Sequence, residues 1–289
     1  MPSISNDILS VEVQLKGAEL QSIYHKQHQL EYMWSGDPLY WGKQSPVLFP
    51  IVGELKNKTY TYKGTGYQLS RHGFARDLDF QVTHQEENRV TLSLKSNEKT
   101  LESYPFQFIF SITYSLNHDK LQVSYLIENT GDDTMFFSVG AHPAFKVPVV
   151  DGTSFEDYQL VFAQRETVGR WPITSAGLIE SASRPLLEND NVLPLKKELF
   201  ASDAIVLKDL KSDSVSIKSS KTKHGVSVTF EGFPYLGIWE TKSGDFVCIE
   251  PWCGIADSVD ASGKIEEKEG INSLPPAGKF EVSYSVHVF

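Results

Sequence analysis

Phe280-Glu281-Val282-Ser283-Tyr284-Ser285-Val286-His287-Val288 is the stretch on which the fold turns. Phe280, Val282, Tyr284, Val286 and Val288 share one parity, and Glu281, Ser283, Ser285 and His287 share the other. One apolar face and one wet face is the period-2 signature of an antiparallel strand lying on a core. Outward from this stretch, strand-like patterns recur at 9–15, 90–94, 106–116, 121–129 and 226–230. Turn residues punctuate them, as in Asn117-His118-Asp119, Asn129-Thr130-Gly131-Asp132-Asp133 and Lys63-Gly64-Thr65-Gly66. Helical periodicity is confined to two short candidates, 193–201 and 265–274. Residues 167–194 show no period and read as a long surface excursion. With no repeat and no low-complexity linker, the pattern predicts an all-β protein. We expect one large antiparallel β-sandwich with a few short helices, spanning 1–289 as a single domain.

Composition narrows the function classes. The chain has 289 residues, 40% of them hydrophobic and 12% aromatic, enough to bury a substantial core. No apolar run approaches the ~18 residues of a membrane-spanning helix, and Met1 to Asp7 lacks the basic and apolar regions of a signal peptide. Lys plus Arg is 27 against 37 Asp plus Glu, a net charge of −10, which does not steer a protein toward nucleic acid or anionic membrane. The two cysteines, Cys248 and Cys253, fit a reducing, cytoplasmic setting and read as free thiols. No Cys and His set has metal-ligand spacing, so no metal is expected. The absence of a glycine-rich loop between a strand and a long helix argues against a nucleotide site. No Gly-x-Ser-x-Gly nucleophile elbow occurs.

Two segments carry candidate chemistry. Gly140-Ala141-His142-Pro143-Ala144-Phe145 and Val247-Cys248-Ile249-Glu250-Pro251-Trp252 each place one titratable group at the end of an apolar run, before a proline that ends the strand. An imidazole and a carboxylate so delivered can act as acid and base on one small molecule. Glu250 could equally close a salt bridge, and His142 could be a core histidine bonded to a carbonyl. Trp252 offers an aromatic face for a sugar ring, and Asp257 further hydroxyl-binding capacity. Arg71-His72-Gly73-Phe74-Ala75-Arg76 adds two guanidinium groups that could hold phosphate or carboxylate, or pair with nearby acids. Gly73 would let the backbone approach a ligand. Asp203 could cap a turn or hold hydroxyls. His25, His28, His84, His118, His224 and His287 read as solvated.

Together with Gly17-Ala18-Glu19-Leu20, the run from Pro46 to Gly53 and the tail from Leu274 to Phe280, these segments resemble the aldose 1-epimerase (galactose mutarotase) superfamily. Within it the similarity is to the bacterial branch linked to lactose-utilisation operons. The resemblance implies a galactose mutarotase-like sandwich without metal or cofactor. It implies His142 as general acid, Glu250 as general base, His72 near the ring oxygen and Asp203 on the sugar hydroxyls. Arg71 and Arg76 look like the arginines of the hexose-6-phosphate 1-epimerase branch. The expected partner is a small sugar, free or phosphorylated, with anomer exchange as the reaction. A carbohydrate-binding protein without catalysis, and a lyase or hydrolase, are the readings from other classes. A hydrolase would need two carboxylates flanking the bond.

Overall fold

The computed structural model describes residues 1–241 and 243–289. A nine-stranded antiparallel sheet forms one layer. Its order is Arg184–Pro194, Tyr158–Arg170, Ser214–Ser219, Val226–Thr229, Lys279–Val288, Lys120–Asn129, Phe108–Asn117, Arg89–Lys95 and Gln81–Gln85. The closing strand lies at its centre, with Val123 opposite Tyr284 on one side and Tyr114 on the other. Tyr284, Val286 and Val288 are buried while Ser283, Ser285 and His287 face outward, as the alternation requires.

The second layer is a five-stranded sheet built from Val139–Gly140, Ala144–Lys146, Ile205–Lys208, Tyr235–Trp239 and Phe246–Cys253. Its inner face carries Phe145, Ile205, Leu207, Leu236, Ile238, Val247 and Ile249, which join the nine-stranded sheet in one cluster of buried side chains. Every residue of Phe246–Cys253 is buried, because its outer face is covered too. That explains a continuous apolar run where the other sheet alternates. Smaller sheets, 3–5 with 9–13, 20–25 and 30–31, 59–62 with 65–68, and 135–137 with 272–274, complete the architecture.

Several expectations need correction. The interval read as a surface excursion, 167–194, holds the end of the strand Tyr158–Arg170 and all of its partner Arg184–Pro194, and their ladder slips at irregularities between Val161 and Gly169. Those slips erase the period-2 signal. The two predicted helices are only single 3₁₀ turns, Lys197–Phe200 and Ile265–Glu267, and Asn272–Leu274 is a strand. The helix Glu98–Ser103 was not anticipated. Asn97 caps it by accepting the Thr100 N–H, and Thr100 Oγ1 accepts the Asn97 N–H in return. His25 is buried rather than solvated, stacked on His28 with ring centroids 3.6 Å apart. Among the described residues, no helix is long and apolar enough to cross a membrane.

Candidate active site

The outer face of the five-stranded sheet is the floor of a cavity of about 260 Å³. Parity and register bring Glu250 and Trp252 to this face opposite Gly237 and Tyr235. Glu250 was expected to end its strand, but pairing runs through Pro251 to Cys253, since proline there costs only one donor. The interruption falls instead on the histidine side. Gly140 pairs with Trp252 and Ala144 with Cys248, and the ladder breaks between them at Pro143. Continuing the register through the gap sets His142 opposite Glu250. The Ala141 N–H donates to the Pro251 carbonyl and the Ile249 N–H to the Pro143 carbonyl, fixing both flanks. His142 Nε2 thus stands 3.3 Å from Glu250 Oε2, with the two residues 7% and 1% exposed.

Burial dominates the electrostatics. It pushes His142 down to about 3, with Arg76 and Arg71 adding to the effect. It raises the Glu250 carboxyl well above the ordinary carboxylate range, with Asp203 contributing, while Arg71 and the Trp252 indole N–H oppose the rise. Burial therefore favours the uncharged form of each group. Passing a proton from the carboxyl to the imidazole gives an ion pair with the same proton count.

His72 lies at 8% exposure with its ring edge-on to His142, centroids 5.8 Å apart. Its Nδ1 accepts the Gly53 N–H at 3.1 Å, so Nε2 carries the hydrogen of the neutral ring. Burial, and then His142 and the two arginines, hold its pKa well below the usual histidine value. Gly73, at φ +72°, is not among the residues lining the cavity. A Cβ there would meet the Phe49 carbonyl oxygen at 2.3 Å, so the glycine lets the His72 segment pack onto 48–53.

Arg71 and Arg76 both line the cavity. Arg71 reaches Asp203 Oδ2 at 3.3 Å, while an Arg76 terminal N–H donates to the Arg71 carbonyl. The Nε atoms of both arginines are buried without a hydrogen-bond partner. Asp203 caps a turn and also borders the cavity. Its Oδ1 accepts the Ala204 N–H at 2.7 Å in a left-handed turn, and its side chain lines the cavity. Trp252 is a packed floor more than an open platform. A Cβ at Gly140 or Gly237 would strike its ring at 2.6 or 2.3 Å, so both glycines are required for the indole to lie flat.

Asp257 does not face the sugar-sized hollow. It is buried in an ion pair with Lys268 at 2.7 Å and accepts the Lys56 N–H, anchoring the loop that brings Ala256 against Gly53. Sequence reading missed Trp41, Trp239, Ile173 and Ile179, which complete the lining. Trp41 stacks on the His142 ring at 5.1 Å, and Trp239 meets it edge-on at 5.5 Å. A tryptophan inside the turn-rich segment Asp37-Pro38-Leu39-Tyr40-Trp41-Gly42, beside the exposed apolar Leu39 and Tyr40, was the available signal for Trp41. Ile173 and Ile179 belong to the connection after Tyr158–Arg170. That connection is tied to the sheet by the Trp171 N–H donating to the Val206 carbonyl.

Residues 2–271 match the family described as aldose 1-epimerase. The chain is 37% identical over 297 residues to the chromosomal protein LacX of Lactococcus lactis subsp. lactis, covering 99% of this chain and 98% of that one. Among solved structures it is similar to a galactose mutarotase related enzyme from Lactobacillus acidophilus, with TM-score 0.95 and 38% identity, covering 100% and 97% of the two chains. A galactose mutarotase-like protein from Lactobacillus casei superposes at TM-score 0.93 with 29% identity over both full lengths.

Proposed function

Because the chain belongs to the aldose 1-epimerase family, we propose that it interconverts the α and β anomers of an aldose by opening and reclosing the sugar ring. Glu250 takes the proton of the anomeric hydroxyl while His142 delivers one to the ring oxygen. The open aldehyde turns about its C1–C2 bond and recloses on the other face with the roles reversed. Both reacting oxygens are bonded to one carbon, so the acid and the base must be neighbours. The observation that carries the reading is the 3.3 Å His142–Glu250 pair on the floor of a sugar-sized cavity. Passage of the carboxyl proton to the imidazole creates base and acid together, without net uptake of a proton. His72 Nε2–H is a donor for the ring-oxygen side, Asp203 and Arg71 serve the hydroxyls, and Trp252 underlies the ring.

We also take residues 1–289 as one domain, since one cluster of buried side chains runs from Ile4 to Val288. Two free cysteines support a cytoplasmic setting.

Anomer exchange followed by NMR in Glu250→Gln tests the reaction. Loss of exchange in a folded variant is the expected result, and near-normal exchange removes Glu250 as the base. A second reading, a hexose 6-phosphate as substrate, is favoured by the two guanidinium groups that line the cavity. The Arg71–Asp203 pair at 3.3 Å and the Arg76 Nε–Asp77 Oδ2 contact at 3.8 Å favour a neutral aldose instead. Exchange rates over a panel of aldoses and their 6-phosphates separate the two. Faster turnover of the phosphates, lost in Arg76→Gln, selects the second.

A further inference from the structure

Cys248 lies two residues before Glu250 on the same face of Phe246–Cys253, completely buried among Trp34, Ala144, Phe246, Trp41 and Trp239. One ligand atom each from His142, Cys248 and Glu250 lies within 4.8 Å of the other two, the one such grouping among the described residues. Glu250 Oε2, which stands 3.3 Å from His142 Nε2, is buried without a hydrogen-bond partner. Imidazole, thiolate and carboxylate are all ligands of zinc, and three protein ligands with an open fourth position form an accessible zinc centre.

We propose that His142, Cys248 and Glu250 form a three-ligand site for a divalent transition metal of the zinc class, with its remaining position open to the cavity. Charge supports this choice. A thiolate and a carboxylate beside a neutral imidazole balance a 2+ ion, so the buried complex is neutral overall. Ligand atoms around a tetrahedral zinc stand roughly 3.5 Å apart, so small side-chain rotations close the trio. The sulfur biases selection toward zinc and away from Mg²⁺ or Ca²⁺. As the metal binds, the Cys248 thiol and the Glu250 carboxyl each release a proton to the buffer, leaving thiolate and carboxylate. Bound metal occupies both His142 and Glu250 and so stops their proton transfers. That consequence rests on the function proposed above, but the site itself does not. The two cysteines provide an internal control, because Cys253 lies on the inner face of the same strand within the core cluster.

The test is a Co²⁺ titration of the full-length protein, read as thiolate-to-cobalt charge-transfer absorption, with Zn²⁺ added to displace the cobalt. The band is expected in the parent and in Cys253→Ser, and lost in Cys248→Ser. A parent without the band, or a band that survives in Cys248→Ser, overturns the site. If Cys248→Ser does not fold, Glu250→Gln decides. Its Co²⁺ affinity should fall by about tenfold or more, and an unchanged affinity overturns the site. The functional reading is separately exposed. A cobalt band with anomer exchange indifferent to Zn²⁺ upholds the metal site and counts against the acid–base roles. Normal exchange with no band counts against the metal site alone.

Discussion

The two sheets solve different problems with the same backbone. The nine-stranded sheet sets one face on the core and the other toward solvent, so Lys279–Val288 alternates. The five-stranded sheet is covered on both faces, by the core on one side and by the cavity lining on the other. Its strands read as unbroken apolar runs interrupted by single polar residues. The difference teaches where to look for chemistry in such a protein. A carboxylate in an alternating strand is solvated, as Glu281 is. A carboxylate in a run like Phe246–Cys253 is desolvated, and desolvation is what moves its pKa.

The sharpest way to break this comparison is to exchange one carboxylate for its amide on each sheet. Glu250→Gln should slow anomer exchange by about 10²–10⁴-fold, while Glu281→Gln should leave the rate unchanged. Equal effects in NMR exchange assays would mean that the buried face has no special role. The next largest effect lies where the strand leaves the sheet. Asp257→Ala strands the buried Lys268 ammonium, whose pKa burial already lowers. Denaturant titration should show a loss of about 3–5 kcal/mol. A small loss would mean that Lys268 finds water or another acid. Smaller again is Gly237→Ala, whose new Cβ meets the Trp252 ring. Overpacking of this kind costs about 1–3 kcal/mol and should disturb the cavity floor. Ser283→Ala on the wet face is its counterpart and should stay within about 0.5 kcal/mol.

Legibility followed the same division. Strands with one wet face were read nearly to the residue, as with 120–129 against the expected 121–129. The bulged pair 158–170 and 184–194 was not, because irregular register scrambles the parity on which the reading depends. His142, Glu250, Arg71, His72, Arg76, Asp203 and Trp252 were all named from their segments, and all line one cavity. Asp257 was misjudged because its partner, Lys268, is brought to it only by the fold. Trp41 and Trp239 were missed because a lone aromatic residue carries no local sign of what it will stack on.

The amino-acid sequence by itself determined the all-β architecture, through parity, and offered one imidazole and one carboxylate as candidates, through apolar runs and the family resemblance. Only the tertiary structure decided that the two groups meet. Their contact depends on the ladder of Val139–Lys146 against Phe246–Cys253 keeping one register across the gap at Pro143. It also brought Cys248 to the same spot, and it decided that Trp252 could lie flat between two glycines. Register and face are set by pairing between segments about a hundred residues apart. No local pattern can encode which atom of one such segment will stand opposite which atom of the other.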